Sequence, residues 1–110
     1  MKICVTSQGE GLQSRFEERF GRAPFFTFVD DEDGLESLAN PYTDGSGGVG
    51  PRAAQLVMDH GAKVLITGRL GDNAANALRS GGMKVYTSGG DQSVAAVLDE
   101  YRAGRLQPLQ

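Results

Sequence analysis

Three glycine-rich turns hold the residues of this chain whose spacing could bind a ligand. They span 45–50 (Gly-Ser-Gly-Gly-Val-Gly), 68–71 (Gly-Arg-Leu-Gly) and 89–91 (Gly-Gly-Asp). Each turn is predicted to join a strand to a helix start, where unpaired N–H groups and the positive end of the helix dipole favour anions. Glycine lets a ligand approach these N–H groups because no Cβ stands in the way. The turns predict an anion site made of backbone; we find no side-chain nucleophile or acid–base pair.

Composition limits the class of protein. With 110 residues, 39% of them hydrophobic and 23% charged, the chain has the size of one globular domain over 1–110. A net charge of -3 argues against broad electrostatic binding to nucleic acid. Any anion site must therefore be local.

Cys4 is the only cysteine, which excludes an intrachain disulfide and a cysteine-based zinc or iron–sulfur site within one chain. No run approaches the ~20 apolar residues of a membrane span, and the apolar N-terminal run is too short for a signal peptide. We expect a cytoplasmic protein that binds neither membrane nor nucleic acid.

The elements that must position the glycine turns follow from residue patterns. Short β-rich runs predict strands at 2–6, 24–29, 35–39, 63–67 and 83–87, of which the second and third form an antiparallel hairpin. A 0, 3, 4, 7 spacing of apolar residues predicts helices over 52–60 and from 94 onward, and a third helix is expected from Asp72 or Asn73 through Arg79. Asp91 is the expected N-cap of the last helix, 14–20 is expected to hold a short helical turn, and the tail 104–110 is expected to be loose.

This order predicts an α/β fold with a central mixed sheet of about five strands flanked by helices. Right-handed βαβ crossovers place the helices against the sheet. In such sheets ligands bind outside the carboxyl ends of the parallel strands. We therefore expect the three glycine turns to meet at that edge, in one pocket.

Four motifs in order resemble the dinitrogenase iron–molybdenum cofactor-binding family. They are Phe-Gly-Arg-Ala-Pro-Phe at 20–25, Gly-Gly-Val-Gly-Pro-Arg-Ala-Ala-Gln at 47–55, Gly-Arg-Leu-Gly-Asp-Asn-Ala at 68–74, and the closing helix over 94–104. The resemblance spans nearly the whole chain and implies a ribonuclease H-like fold. It also implies a role in carrying or inserting metal–sulfur clusters. Within the family the chain is similar to small free-standing members that hold a molybdenum–copper sulfide cluster without covalent bonds.

The turns, the nearby charges and the matched motifs together define the candidate cofactor-binding residues. Arginines beside the loops suit an anionic sulfide cluster, and Phe20 and Leu70 are candidates for apolar cover that limits water. The set comprises Arg19, Phe20, Gly21, Arg22, Gly47, Gly48, Gly50, Arg52, Gly68, Arg69, Leu70, Gly71, Asn73, Gly89 and Gly90.

Arg19 departs from the family pattern, which often has histidine before Phe-Gly-Arg. A guanidinium stays protonated and donates hydrogen bonds, whereas imidazole can ligate a metal. The departure favours a sulfide-capped cluster held from outside, with no side chain as metal ligand.

Other candidate ligands have simpler interpretations. Cys4 and Met83 are expected in the core, although either sulfur could meet a soft metal. His60 is interpreted as a partner of a helix C-terminus, and the acidic residues 30–33 as a solvated turn. Strand one offers Cys4 and Thr6 where a ribonuclease H-like nuclease would need an acid, so nuclease activity is rejected.

Three functions remain open. The first is a non-enzymatic carrier or assembly protein for a molybdenum-containing sulfide cluster, with or without copper, with cluster-assembly or acceptor proteins as further partners. The second is a sensor or enzyme domain that binds a phosphate-bearing metabolite at the same helix N-termini, although no Walker motif or Gly-x-Gly-x-x-Gly is present. The third is an interaction module that holds no ligand.

Overall fold

A central six-stranded mixed sheet organises the molecule, in a computed structural model that describes residues 1–30, 34–43 and 49–109. The strands are β1 (Ile3–Ser7), β2 (Phe25–Asp30), β3 (Gly34–Ala39), β4 (Val64–Thr67), β5 (Lys84–Thr87) and β6 (Gln107–Pro108). The helices are α1 (Val49–Asp59), α2 (Asp72–Ser80) and α3 (Val94–Arg102). The strand order is β3-β2-β1-β4-β5-β6, in which β1, β4 and β5 are parallel and the other pairs antiparallel. The expected α/β fold and the β2–β3 hairpin are confirmed.

The central strands β1 and β4 are buried on both faces because alternate residues enter two different cores. Cys4 and Leu65 contribute to a core with α1 and α2, whereas Val5 and Ile66 contribute to a core with α3. Helices therefore cover both faces of the sheet, as the crossover rule predicts.

Helix starts differ from the sequence predictions in two places. Helix α1 begins at Val49, three residues before the expected start, since proline at position 51 is tolerated in a first turn whose N–H groups have no intrahelical partner. The N-cap of α3 is Ser93, whose Oγ accepts from the Ala96 N–H at 3.1 Å. Asp91 instead forms an ion pair with Arg15 at 2.8 Å, so its prediction as the cap is wrong.

The predicted helical turn over 14–20 is also wrong. This segment is extended and forms isolated bridges between Ser7 and Phe16, Arg15 and Ser93, and Arg19 and Arg69. Tertiary pairing outweighs local helix propensity here because the segment crosses the ends of β1 and β4 and bonds to both.

The tail is not wholly loose, since β6 pairs antiparallel with β5 through Tyr86–Pro108 and Thr87–Gln107. Among the described residues, no helix is both long and apolar enough to cross a membrane.

Candidate functional site

An open cleft of about 500 Å³ lies where α1 and α2 begin. We call it the glycine cleft. It is lined by Phe20, Gly21, Arg22, Gly50, Pro51, Gly71, Asp72, Asn73 and Ala74. Two helix N-termini thus converge on one space with the turn at residues 20–23, which we call the Phe-Gly-Arg turn. This space lies at the end of the sheet where β4 leads into α2.

The start of α2 supplies N–H groups without helical partners. Gly71 is the N-cap and provides no side-chain cap, and the Ala75 N–H makes the first bond of the helix, to the Gly71 carbonyl at 3.0 Å. The N–H groups of residues 72–74 precede that bond, and these residues line the cleft. Together with the helix dipole they favour an anion at this wall.

Two glycines of the cleft are there for different reasons. A Cβ at Gly50 would lie 3.0 Å from the Ala74 Cβ, so glycine permits the close approach of α1 and α2. A Cβ at Gly71 would meet nothing within 4 Å, and its φ of -73° suits any residue. Neither packing nor backbone conformation requires glycine at position 71, whereas close approach of a ligand to the backbone would.

Among the described residues that line the glycine cleft, one cationic and one anionic side chain cancel formally. Arg22 is exposed, and its Nη1 donates to the Thr43 carbonyl at 3.1 Å. Asp72 lies in the first turn of α2, where a carboxylate is favoured by the helix dipole. Attraction of an anion to this cleft therefore rests on backbone N–H groups and dipoles, with Arg22 as the cationic side chain among the lining residues.

A second cleft of about 440 Å³, the arginine cleft, has mainly charged walls. It is lined by Gln8, Arg15, Phe16, Glu17, Glu18, Arg19, Arg69, Gly90 and Asp91. Arg15 pairs with Asp91 and Arg19 with Glu17, whereas Arg69 forms no ion pair with any residue that the structure describes. Most positive charge in this cleft is thus already neutralised.

Glu17 is the buried ionised group of the arginine cleft, with a side chain 7% exposed. Burial by itself would raise the pKa of its carboxyl, but bonds from the Arg19 Nε and N–H, both 3.0 Å, the charge of Arg19 and a bond from Gln8 outweigh burial and lower the pKa. The ion pair fixes the Arg19 guanidinium along the cleft wall.

Replacing Glu17 by glutamine should lower stability at neutral pH by on the order of 1 kcal/mol, because a charge-assisted bond to a half-exposed arginine is lost. Since folding lowers the pKa of Glu17, its contribution is full above the ordinary value of 4.5 and disappears as pH falls through the folded value. Thermal unfolding of both proteins between pH 7 and 3 measures this. The difference in Tm should be constant down to about pH 5 and then shrink; a constant difference to pH 3 would contradict the assignment.

The extended segment 17–20 separates the two clefts. It is fixed to the sheet by the Thr6 hydroxyl, which donates to the Glu17 carbonyl at 2.6 Å and lies 2.9 Å from the Thr67 Oγ1, from which it can accept. The N–H groups of Gly68 and Arg69 donate to the Glu18 carbonyl at 2.9 and 2.6 Å. The expectation of one pocket shared by all the glycine turns is therefore corrected: in the described part of the chain, this segment divides them.

The candidate residues are divided accordingly. The candidates that line the glycine cleft are Phe20, Gly21, Arg22, Gly50, Gly71 and Asn73. Those that line the arginine cleft are Arg19, Arg69 and Gly90. Arg52, Gly68, Leu70 and Gly89 line neither of these two clefts, and Gly47 and Gly48 lie outside the described residues.

Apolar cover of a ligand is weaker than expected. Phe20 is 1% exposed and packs against Phe26 with ring centroids 5.7 Å apart, so most of its surface belongs to the core. Leu70 packs against the same core from a partly buried position.

The sulfur and imidazole groups have structural roles. Cys4 is fully buried and its thiol pKa is raised by burial, and Met83 is buried in the same core. His60 stacks on Phe28 at 5.4 Å, with its Nδ1 3.0 Å from the Leu56 carbonyl of α1. No cluster of three or more His, Cys, Asp or Glu suited to a metal occurs among residues 1–30, 34–43 and 49–109.

Sequence reasoning missed Asn40, which supports the Phe-Gly-Arg turn. Its Nδ2 donates to the carbonyls of Ala23 at 2.9 Å and Gly21 at 3.3 Å, and its Oδ1 accepts from the Tyr42 N–H at 3.0 Å. The available signal was an asparagine directly before a proline, which is typical of a side chain that bonds to backbone in a turn.

Comparison with known protein families agrees with this architecture. The model of the dinitrogenase iron-molybdenum cofactor family matches residues 1–104. The chain therefore belongs to that family, as the resemblance of its four motifs implied.

Solved structures add particular relatives. The chain is similar to the apo form of the orange protein from Desulfovibrio gigas, with 33% identity, a TM-score of 0.91, and coverage of 99% of this chain and 96% of that one. It is also similar to a Thermotoga protein proposed to be a NifB protein, with 33% identity, a TM-score of 0.85, and coverage of 98% and 92%. A comparison with curated proteins gives no match.

Proposed function

We propose that this chain binds and carries, or helps to assemble, a molybdenum-containing metal–sulfide cluster, with or without copper, and catalyses no reaction on it. The glycine cleft is the proposed binding site. The observation that carries the proposal is the convergence of two helix N-termini with Gly71, at which packing and conformation do not require glycine.

Such a cluster fits the chemistry of the cleft. Its terminal sulfides are negative, large and weakly hydrated, so they accept hydrogen bonds from N–H groups and charge-assisted bonds from Arg22. Among the described residues, no cysteine or histidine lines the glycine cleft, and the metals would keep sulfide as their ligands. The protein would thus hold the cluster from outside.

Membership of the family and the similarity to the orange protein support the binding or carriage of a cofactor in general. The identity of the metals as molybdenum and copper, and the location of the cluster in the glycine cleft, are proposed. Cluster-assembly or acceptor proteins remain proposed partners.

The decisive experiment adds tetrathiomolybdate, with and without copper, to the anaerobic protein and removes free metal by desalting. The expected result is retention of molybdenum, and of copper where it was added, with new visible absorption from sulfide-to-metal charge transfer. No retained metal would overturn the proposal. Stabilisation by one phosphate compound alone in a thermal-shift panel would then favour a phosphate-bearing metabolite.

Replacing Arg22 by glutamine should weaken retention of the cluster about tenfold, since one charge-assisted hydrogen bond to the cluster is lost. The matched control is Lys84→Gln, which removes the same charge at the amino end of β5, away from both clefts. Equilibrium dialysis of molybdenum against both variants measures the effect. Equal retention by the two variants would count against a contact from Arg22.

A further inference from the structure

Asn40 occupies a buried position directly after β3 and is 6% exposed. Its N–H donates to the Pro24 carbonyl at 2.9 Å, next to the Phe25–Ala39 pair of the hairpin. The backbone of Asn40 is thus fixed to the sheet before its side chain makes any contact.

The Asn40 side chain joins two loops. Its amide nitrogen donates to Gly21 and Ala23 on the Phe-Gly-Arg turn, and its amide oxygen accepts from Tyr42 on the turn that follows β3. Only this orientation satisfies all three bonds, because the turn offers carbonyls and Tyr42 offers an N–H. Aspartate could not replace it, since a carboxylate cannot donate to the carbonyls.

The same two loops carry both ends of the Arg22 contact. Arg22 lies between the two carbonyls that Asn40 holds, and its guanidinium donates to the Thr43 carbonyl, one residue after Tyr42. Arg22 itself is exposed. The neighbours Phe20 and Ala23 are buried and anchor the two ends of the turn.

We propose that Asn40 is a positioning residue that holds Arg22 in place at the glycine cleft, so that cluster affinity depends on a side chain that does not line the cleft. This proposal rests on the proposed function. Without Asn40, the Arg22 guanidinium would have to be ordered by the cluster itself, and binding would bear that entropy cost.

Asn40→Ala and Asn40→Asp should each weaken molybdenum retention about five- to tenfold, and neither should weaken it further in a protein that already carries Arg22→Gln. Both should also lower Tm, so Val97→Ala, in the core of the opposite sheet face, serves as the control for destabilisation alone. We expect Val97→Ala to lower Tm without changing retention. Wild-type retention by Asn40→Asp, or equal losses in the two Arg22 backgrounds, would overturn the proposal.

A measurement on the cluster-free protein separates this proposal from the proposed function. The Arg22 Nε–H resonance and its relaxation report whether the guanidinium is ordered, with or without any cargo. Order in the wild type and its loss in Asn40→Asp would support positioning even if no metal were retained. Should alanine or aspartate prevent folding, Asn40→Ser, which keeps one donor, is measured well below its Tm. An Arg22 signal unchanged in the folded Asn40 variants would overturn the inference.

Discussion

Replacing Gly71 by aspartate should reduce cluster retention at least about a hundredfold while the protein becomes slightly more stable. The loss is expected because a carboxylate would enter the cleft at the N–H groups proposed to bind the anionic cluster. The gain is expected because aspartate is a better N-cap than glycine, the Gly71 conformation is compatible with it, and its Cβ would meet open space. Metal analysis after desalting and thermal unfolding measure the two effects.

Opposite changes in binding and stability cannot arise from partial unfolding, which would lower both. The matched control is Ser93→Asp, which puts a carboxylate at the N-cap of α3, outside the glycine cleft. It should retain the cluster as the wild type does. Full retention by Gly71→Asp would show that the cluster does not bind at the start of α2.

Replacing Gly68 by alanine should destabilise the fold by about 3 kcal/mol and lower Tm by more than about 10 °C. A Cβ at Gly68 would lie 2.7 Å from the Glu18 carbonyl oxygen and 2.9 Å from its Cα, which are backbone atoms that a rotamer change cannot move. The segment 17–20 would have to shift and lose the bonds from Gly68 and Arg69 to Glu18. Thermal or urea unfolding measures the cost.

Gly71→Ala is the control for Gly68→Ala, because it adds the same methyl group three residues later, into open space. It should change Tm by no more than a few degrees, since loss of a glycine N-cap costs only about 0.5 kcal/mol. If the two alanine variants were equally stable, the close approach of Glu18 to Gly68 would not exist in solution.

Much of the fold could be predicted from residue patterns. Apolar β-rich runs predicted every strand from β1 to β5, and the 3.6-residue spacing predicted α1 and α3, because the two faces of a central strand and one face of a helix must be apolar to be buried. Helix α2 was predicted from its start and stop signals. The errors fall where tertiary pairing decides. The segment 14–20 is extended because it bonds to β1, β4 and the start of α3, and β6 forms because β5 offers an edge.

The roles of individual glycines within one motif also cannot be predicted from residue patterns. Gly68 and Gly71 belong to a single glycine turn, and their sequence context gives no reason to separate them. In the structure, Gly68 is required by a backbone that passes across it, whereas Gly71 faces open space at the glycine cleft. Which glycine serves packing and which is open to a ligand depends on a segment about fifty residues away in sequence.

The sequence by itself determined the α/β class, the family and the placement of glycine turns before helices, since these follow from local periodicity and motif order. Tertiary structure alone decided that segment 17–20 divides the glycine turns between two clefts, that Glu17 neutralises Arg19, and that Asn40 braces Arg22. Two of these findings depend on contacts between residues that are distant in sequence and that folding brings together. The third depends on the extended backbone of segment 17–20, which brings Glu17 and Arg19 within hydrogen-bond distance. Local propensity does not encode such contacts, because their energy is gained only once the chain has folded.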